Sequence, residues 1–172
     1  MASTAHTVEN ACRVVRADLD ARQEDARTLK ERCERAFAYC DDSEHRADAE
    51  AFLDWLKPSA HEAIIATNAD HNSLRIKDNL LGLSKRVDQI YSSQDFGCPK
   101  EHQAFWRQLQ NHCGFDPKRT LFLDDTERVL DAAADFGIRE VWHVRTPDSQ
   151  RAPRPESIHP SLDHFHEIYP AT

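Results

Sequence analysis

Apolar residues recur at steps of four and three from Val8 through Cys12, Val15, Leu19, Arg22, Ala26, Leu29 and Cys33 to Phe37. That spacing predicts one face of a long amphipathic helix. Arg22 is the charged member, its aliphatic stem able to cover the stripe while its head reaches water. Ala47 to Leu56 predicts a second helix carrying Phe52, Trp55 and Leu56, closed by Pro58. The pattern then changes. Ala63–Ala66 is a short continuous apolar run entering Thr67-Asn68, and Val87–Ser92 is a weaker run of the same kind. Both read as strands. Between them, Asn72-Ser73 is expected to cap a helix bearing Leu74, Leu80, Leu81 and Leu83.

After the turn Gly97-Cys98-Pro99-Lys100, a helix is expected from about Glu101 to Cys113, with Phe105, Leu109 and Cys113 spaced by four and Gly114 as its stop. The strongest stretch is Thr120–Gly137: an apolar strand (Leu121, Phe122, Leu123) ends on Asp124-Asp125. A helix with Val129, Ala133 and Phe136 on one face follows, then Gly137 and a strand over Val141–Val144. Strand, acidic turn, helix, strand is a βαβ unit, and its ligand sites lie at the carboxyl ends of the strands. The proline-bearing tail from Thr146 to Pro160 reads as an extended wrap, and Ser161–Ile168 as a short helix docking through Leu162, Phe165 and Ile168. Strands alternating with helices predict an α/β protein with a mostly parallel sheet.

Composition narrows the possibilities. The chain has 172 residues, a formal net charge of −8 and no Lys/Arg-rich block, which argues against a nucleic-acid polymer as partner. No apolar run approaches the roughly 20 residues of a membrane span, and the N-terminus lacks a signal-peptide core. The 5 cysteines are odd in number and not paired at metal-ligand spacing, which reads as reduced thiols in a cytoplasmic protein. The 10 histidines form no HExxH-like pattern.

The polar residues with chemical potential all fall at or just beyond strand ends: Thr67, Asn68, Lys100, Asp124 and Asp125. Adjacent carboxylates at a strand end suit a hard divalent cation, Mg²⁺ above all, or complement a helix N-terminus. Thr67 and Asn68 can donate hydrogen bonds to a phosphate or cap a helix, and Lys100 can balance phosphate charge or sit in solvent.

Taken together these motifs resemble the haloacid dehalogenase superfamily of Asp-nucleophile phosphohydrolases. IIATN, GCPK and TLFLDDTERVLDAAADFGI stand in the order of that family's later motifs. The runs DFGCPKEHQAFWRQL, TPDS and HPSL are similar to the bacterial GMP/IMP nucleotidase group within it, over about Ala63 to Pro170. The resemblance implies a Rossmann-like parallel sheet, Thr67 and Asn68 at the substrate phosphate, Lys100 as the charge-balancing catalytic lysine, and Asp124 and Asp125 at Mg²⁺. It implies a phosphomonoester substrate, a purine nucleoside monophosphate.

Residues 1–58 are similar to the family's helical cap in helical character only, and 59–172 to its α/β core. The family's first motif, an apolar strand followed by DxDGT, has no counterpart here. The one DxD, Asp18-Leu19-Asp20, lies on the helical stripe. The expectation is a core without its central strand, its two flanking strands left to separate, to pair directly or to accept a strand from elsewhere. Function then stands between a phosphohydrolase whose nucleophile segment is absent from this chain and an inactive relative that binds phosphate or Mg²⁺ or serves as scaffold.

Overall fold

A computed structural model describes residues 43–147 and 152–169. The predicted stripe over 8–37, and with it Asp18, lies outside the described residues. Helix α1 spans Ser43–Leu56, strand β1 Ile64–Thr67, α2 His71–Leu81 and β2 Gln89–Ser92. Then come α3 at Gln103–Cys113, β3 at Leu121–Asp124, α4 at Glu127–Phe136, β4 at Glu140–Val144 and β5 at Ser161–Leu162. Every pairing among the described residues is parallel, as the strand–helix alternation requires.

The strands form two sheets rather than one: β1 with β2, and β3, β4 and β5 in that order. In the first, Thr67 sits opposite Ser92; in the second, Asp124 sits opposite His143. Among the described residues β1 and β3 do not pair with each other, so of the three outcomes left to the flanking strands, direct pairing is not the one taken. The apolar sequence of β1 is accordingly only half-buried along its length, and Leu121 is 44% exposed. A parallel strand normally hides both faces.

The core lies under the second sheet. Phe105, Trp106 and Leu109 of α3 meet Val129, Leu130, Ala132 and Ala133 of α4, together with Ile138 and Val141. The expected spacings place Phe105, Leu109, Val129 and Ala133 in this core and Cys113 and Phe136 against it, and Gly137, at φ 104, ends α4 in a conformation that a side chain would strain. Between β2 and α3, Gly97 at φ 66 turns the chain toward Pro99 and Lys100.

Three local expectations need correction. The carboxylate of Asp70, not Asn72 or Ser73, caps α2, accepting from the amides of both. The helix expected from Glu101 starts at Gln103 because Pro99 and the following turn occupy the preceding residues. The terminal helix is instead β5 followed by one 3₁₀ turn, Phe165–Glu167. The edge of β4 decides this. The amides of His143 and Arg145 donate to the carbonyls of Pro160 and Leu162 at 2.7 and 2.9 Å, drawing the chain into extended form. Leu162 and Phe165 dock as expected, Leu162 into the core and Phe165 onto α1, with Phe52 at 5.3 Å between ring centroids.

Candidate active site at the carboxyl ends of the strands

Lys100 stands in the turn before α3, held from two sides. Its backbone N–H donates to Asn68 Oδ1 at 2.9 Å, and its carbonyl accepts from the buried indole Nε1 of Trp106 at 2.8 Å. With the backbone so fixed, the side chain runs over the ring of Phe122, 5.8 Å from its centroid, and Nζ reaches Asp124 Oδ2 at 2.5 Å. Both side chains are nearly buried, 10% and 8% exposed. A charge pair this dry is costly to separate, since either partner alone leaves an uncompensated charge in the interior. The other oxygen of Asp124 accepts from the amide of Thr126 at 2.9 Å, which fixes the carboxylate at the entry to α4.

Three of the residues expected from sequence are thus directly linked: Asn68 from the end of β1, Lys100 from the turn before α3, and Asp124 from the end of β3. Thr67 and Asp125 stand beside Asn68 and Asp124 in the chain. Thr67 Oγ1 accepts from the amide of Ala69 at 3.0 Å and keeps its own O–H to donate. Asn68 Nδ2 donates to Glu101 Oε2 at 2.9 Å. Asp125 pairs with the guanidinium of Arg154 from the C-terminal tail.

The site also holds residues that sequence reasoning missed. Trp106 was hidden as one more apolar helix position, although an indole six residues beyond a Pro-Lys turn can fold back onto it. Arg154 bears no spacing relation to Asp125. His143, 3% exposed and in register with Asp124, carries a buried Nδ1 with no hydrogen-bond partner.

Elsewhere, His164 and His166 gather at Asp48, whose carboxylate accepts from the amides of Phe165 and His166 and so serves to dock the tail on α1. His159 meets Asp131 at 3.0 Å in a similar docking role, beside Glu127. A cleft of about 620 Å³ opens beside β2, lined by Ile90, Tyr91, Phe96 and His112 among others and by none of the strand-end cluster. Among the described residues no helix is long and apolar enough to cross a membrane.

A lysine from the turn before α3 is thus locked onto the first of two aspartates at the end of a parallel strand. A family model for haloacid dehalogenase-like hydrolases matches residues 4–137. The chain belongs to this family. Among haloacid dehalogenase-like relatives it is 40% identical to the GMP/IMP nucleotidase YrfG of Escherichia coli K12 over 126 residues, 73% of this chain and 57% of that protein. It is 35% identical to an enolase-phosphatase E1 of Klebsiella pneumoniae over 74 residues, 43% of this chain and 30% of that one. The chain therefore spans little more than half the length of the nucleotidase it matches. The fold is similar to that of L-2-haloacid dehalogenase from Xanthobacter autotrophicus, with a TM-score of 0.56 at 21% identity over 71% of this chain and 47% of that one.

Proposed function

We propose that this chain carries the charge-balancing and metal-holding part of a cytoplasmic phosphomonoester hydrolase acting on a purine nucleoside monophosphate such as GMP or IMP. The observation that carries the reading is the buried ion pair of Lys100 with Asp124, braced by Asn68 and Trp106. The substrate class rests on the name of the E. coli relative.

In this reading Lys100 neutralises charge on the phosphoryl oxygens. Thr67 O–H and the second Nδ2 hydrogen of Asn68 hold the phosphate in place. The donor set fits Mg²⁺: both aspartates offer hard carboxylate oxygens with spare lone pairs, and neither belongs to a larger ligand cluster among the described residues, which suits an ion that keeps several waters. When bound there, Mg²⁺ would supply further neutralisation of the phosphoryl oxygens.

The carboxylate that attacks phosphorus is not among these residues. Asp124 is engaged by Lys100 and Asp125 by Arg154. The sequence has no DxDGT, and Asp18 lies outside the described residues. We therefore expect the purified chain to release no more phosphate from GMP, IMP or an aryl phosphate with Mg²⁺ than a metal-only blank. That same motif absence favours a second reading, an inactive phosphate- or Mg²⁺-binding relative.

Phosphate release and calorimetric GMP binding test both points together. GMP binding should weaken about tenfold or more in Lys100→Ala, since a charge-assisted hydrogen bond contributes roughly 1.5–3 kcal/mol, with a smaller loss in Thr67→Ala. Unchanged GMP binding in both variants would remove the site. Turnover above the blank that disappears in Asp18→Asn would make Asp18 the nucleophile and the chain an active enzyme.

A further inference from the structure

The C-terminal tail reaches the site by a defined route. The backbone N–H of Arg154 donates to the carbonyl of Arg145 at 2.7 Å, just past the carboxyl end of β4. Further along, His159 is held by Asp131 of α4, and Pro160 and Leu162 are hydrogen-bonded to β4. The strap is thus anchored at the backbone of Arg154 itself and again from His159 onward, and the guanidinium meets Asp125 Oδ2. The two ion pairs at the aspartates are unlike. Lys100–Asp124 is nearly dry, whereas Arg154 and Asp125 are 48% and 33% exposed. An inner pair that is expensive to break sits beside an outer pair that solvent can reach.

A divalent cation at the aspartate pair needs an oxygen of Asp125, and Oδ2, the oxygen that Thr126 Oγ1 does not approach, is the one that Arg154 holds. Two positive groups cannot both occupy it closely. Resting on the metal reading above, we propose that Arg154 is a positioning residue for Asp125 that acts as its resident counter-ion, and that a divalent cation must displace it. The guanidinium keeps the exposed carboxylate neutralised and oriented; the entering ion exchanges for it on Oδ2. Because the outer pair is solvated, the exchange is inexpensive, and it sets the apparent affinity of the site rather than abolishing binding. The inner pair stays in place throughout, so the exchange is confined to the strap and leaves Lys100 aimed at the phosphate position.

The sign of the effect separates this role from a purely structural one. If Arg154 only held the loop or oriented Asp125, its removal would loosen the site and weaken the cation. As a competing counter-ion, its removal strengthens the cation. Titration of the full chain with Mn²⁺, followed by loss of the free-ion electron paramagnetic resonance signal, reads this without any catalytic turnover. Arg154→Gln is expected to bind Mn²⁺ about three- to fivefold more tightly than the unmodified chain, the range of a partly exposed ion pair. Arg154→Lys, which keeps the charge without the forked donor set, should fall between them. In an Asp125→Asn background the Arg154→Gln effect should vanish. Equal or weaker binding by Arg154→Gln, with its urea midpoint unchanged, would overturn the counter-ion role and leave the metal reading standing. No Mn²⁺ binding by the unmodified chain or either Arg154 variant would overturn both.

Discussion

β3, β4 and β5 lie against α3 and α4, with Val141, Val144 and Leu162 buried and an aromatic run from Phe105 through Trp106 to Phe122 locking helix to sheet at centroid distances of 5.2 and 4.9 Å. Among the described residues β1 and β2 have no such cover. Apart from the buried Ser92 their side chains are half-buried, and Ala66 and Tyr91 reach the main core only at its margin. The two halves nevertheless finish at one place, because Asn68 from the weaker half binds the backbone of Lys100 and Lys100 binds Asp124 of the stronger half. Packing defines one half and a polar chain recruits the other. The site is therefore only as well defined as the turn that carries Lys100.

The largest break in that comparison should come from Trp106→Ala. It removes a fully buried ring shared by α3 and β3, and with it the N–H that holds the Lys100 carbonyl. A loss of about 3–5 kcal/mol is expected by urea unfolding. Trp106→Phe should recover most of the packing but still weaken GMP binding, because the Lys100 carbonyl loses its donor.

Hydrogen exchange sharpens the comparison at the level of single amides. β4 is paired on both sides, while β1 is paired on one among the described residues. Amides of β4 should be the most protected, exceeding those of β1 by about 2 kcal/mol in opening free energy. Equal protection would mean that the two halves open together.

The sequence told of these halves unequally. Thr120–Gly137 was legible in full, because the apolar strand, the acidic turn, the helical spacing of Val129, Ala133 and Phe136, and the glycine stop all agree. That Lys100 meets Asp124 was not contained in any spacing; their shared position at or just beyond strand ends pointed only to one edge of the sheet. β5 was unreadable, since two residues have no period and the helical spacing of Leu162, Phe165 and Ile168 pointed the wrong way. An edge of β4 in need of partners settled that segment. Asp70 was passed over for Asn72-Ser73 because all three are good capping residues, and only the turn out of β1 selects among them. Arg154 reaches Asp125 by a path that depends on β5 and so was equally invisible.

A smaller effect is expected with pH. Burial raises the thiol of Cys113 above its ordinary value, with the nearby Glu62 adding to the shift and a hydrogen bond from the Phe115 backbone opposing it. Burial likewise raises the phenol of Tyr91, reinforced by Cys113, Glu62 and Asp95. Both groups are favoured in their neutral form by folding, so their contribution is complete below the unfolded values and is lost as pH rises through the folded ones. The contribution of these two groups should fall as pH rises through the thiol range and beyond. Cys113→Ser should remove part of that fall in urea midpoints measured against pH.

The claim that the site is held by one buried ion pair is tested most directly by a double-mutant cycle on Lys100 and Asp124. Urea unfolding of the chain, Lys100→Met, Asp124→Asn and the double variant gives the coupling free energy without assuming what either single change does elsewhere. A coupling of about 2–3 kcal/mol is expected, with each single variant markedly destabilised and the double variant recovering part of the loss. A coupling near zero, with the two losses simply adding, would contradict the account.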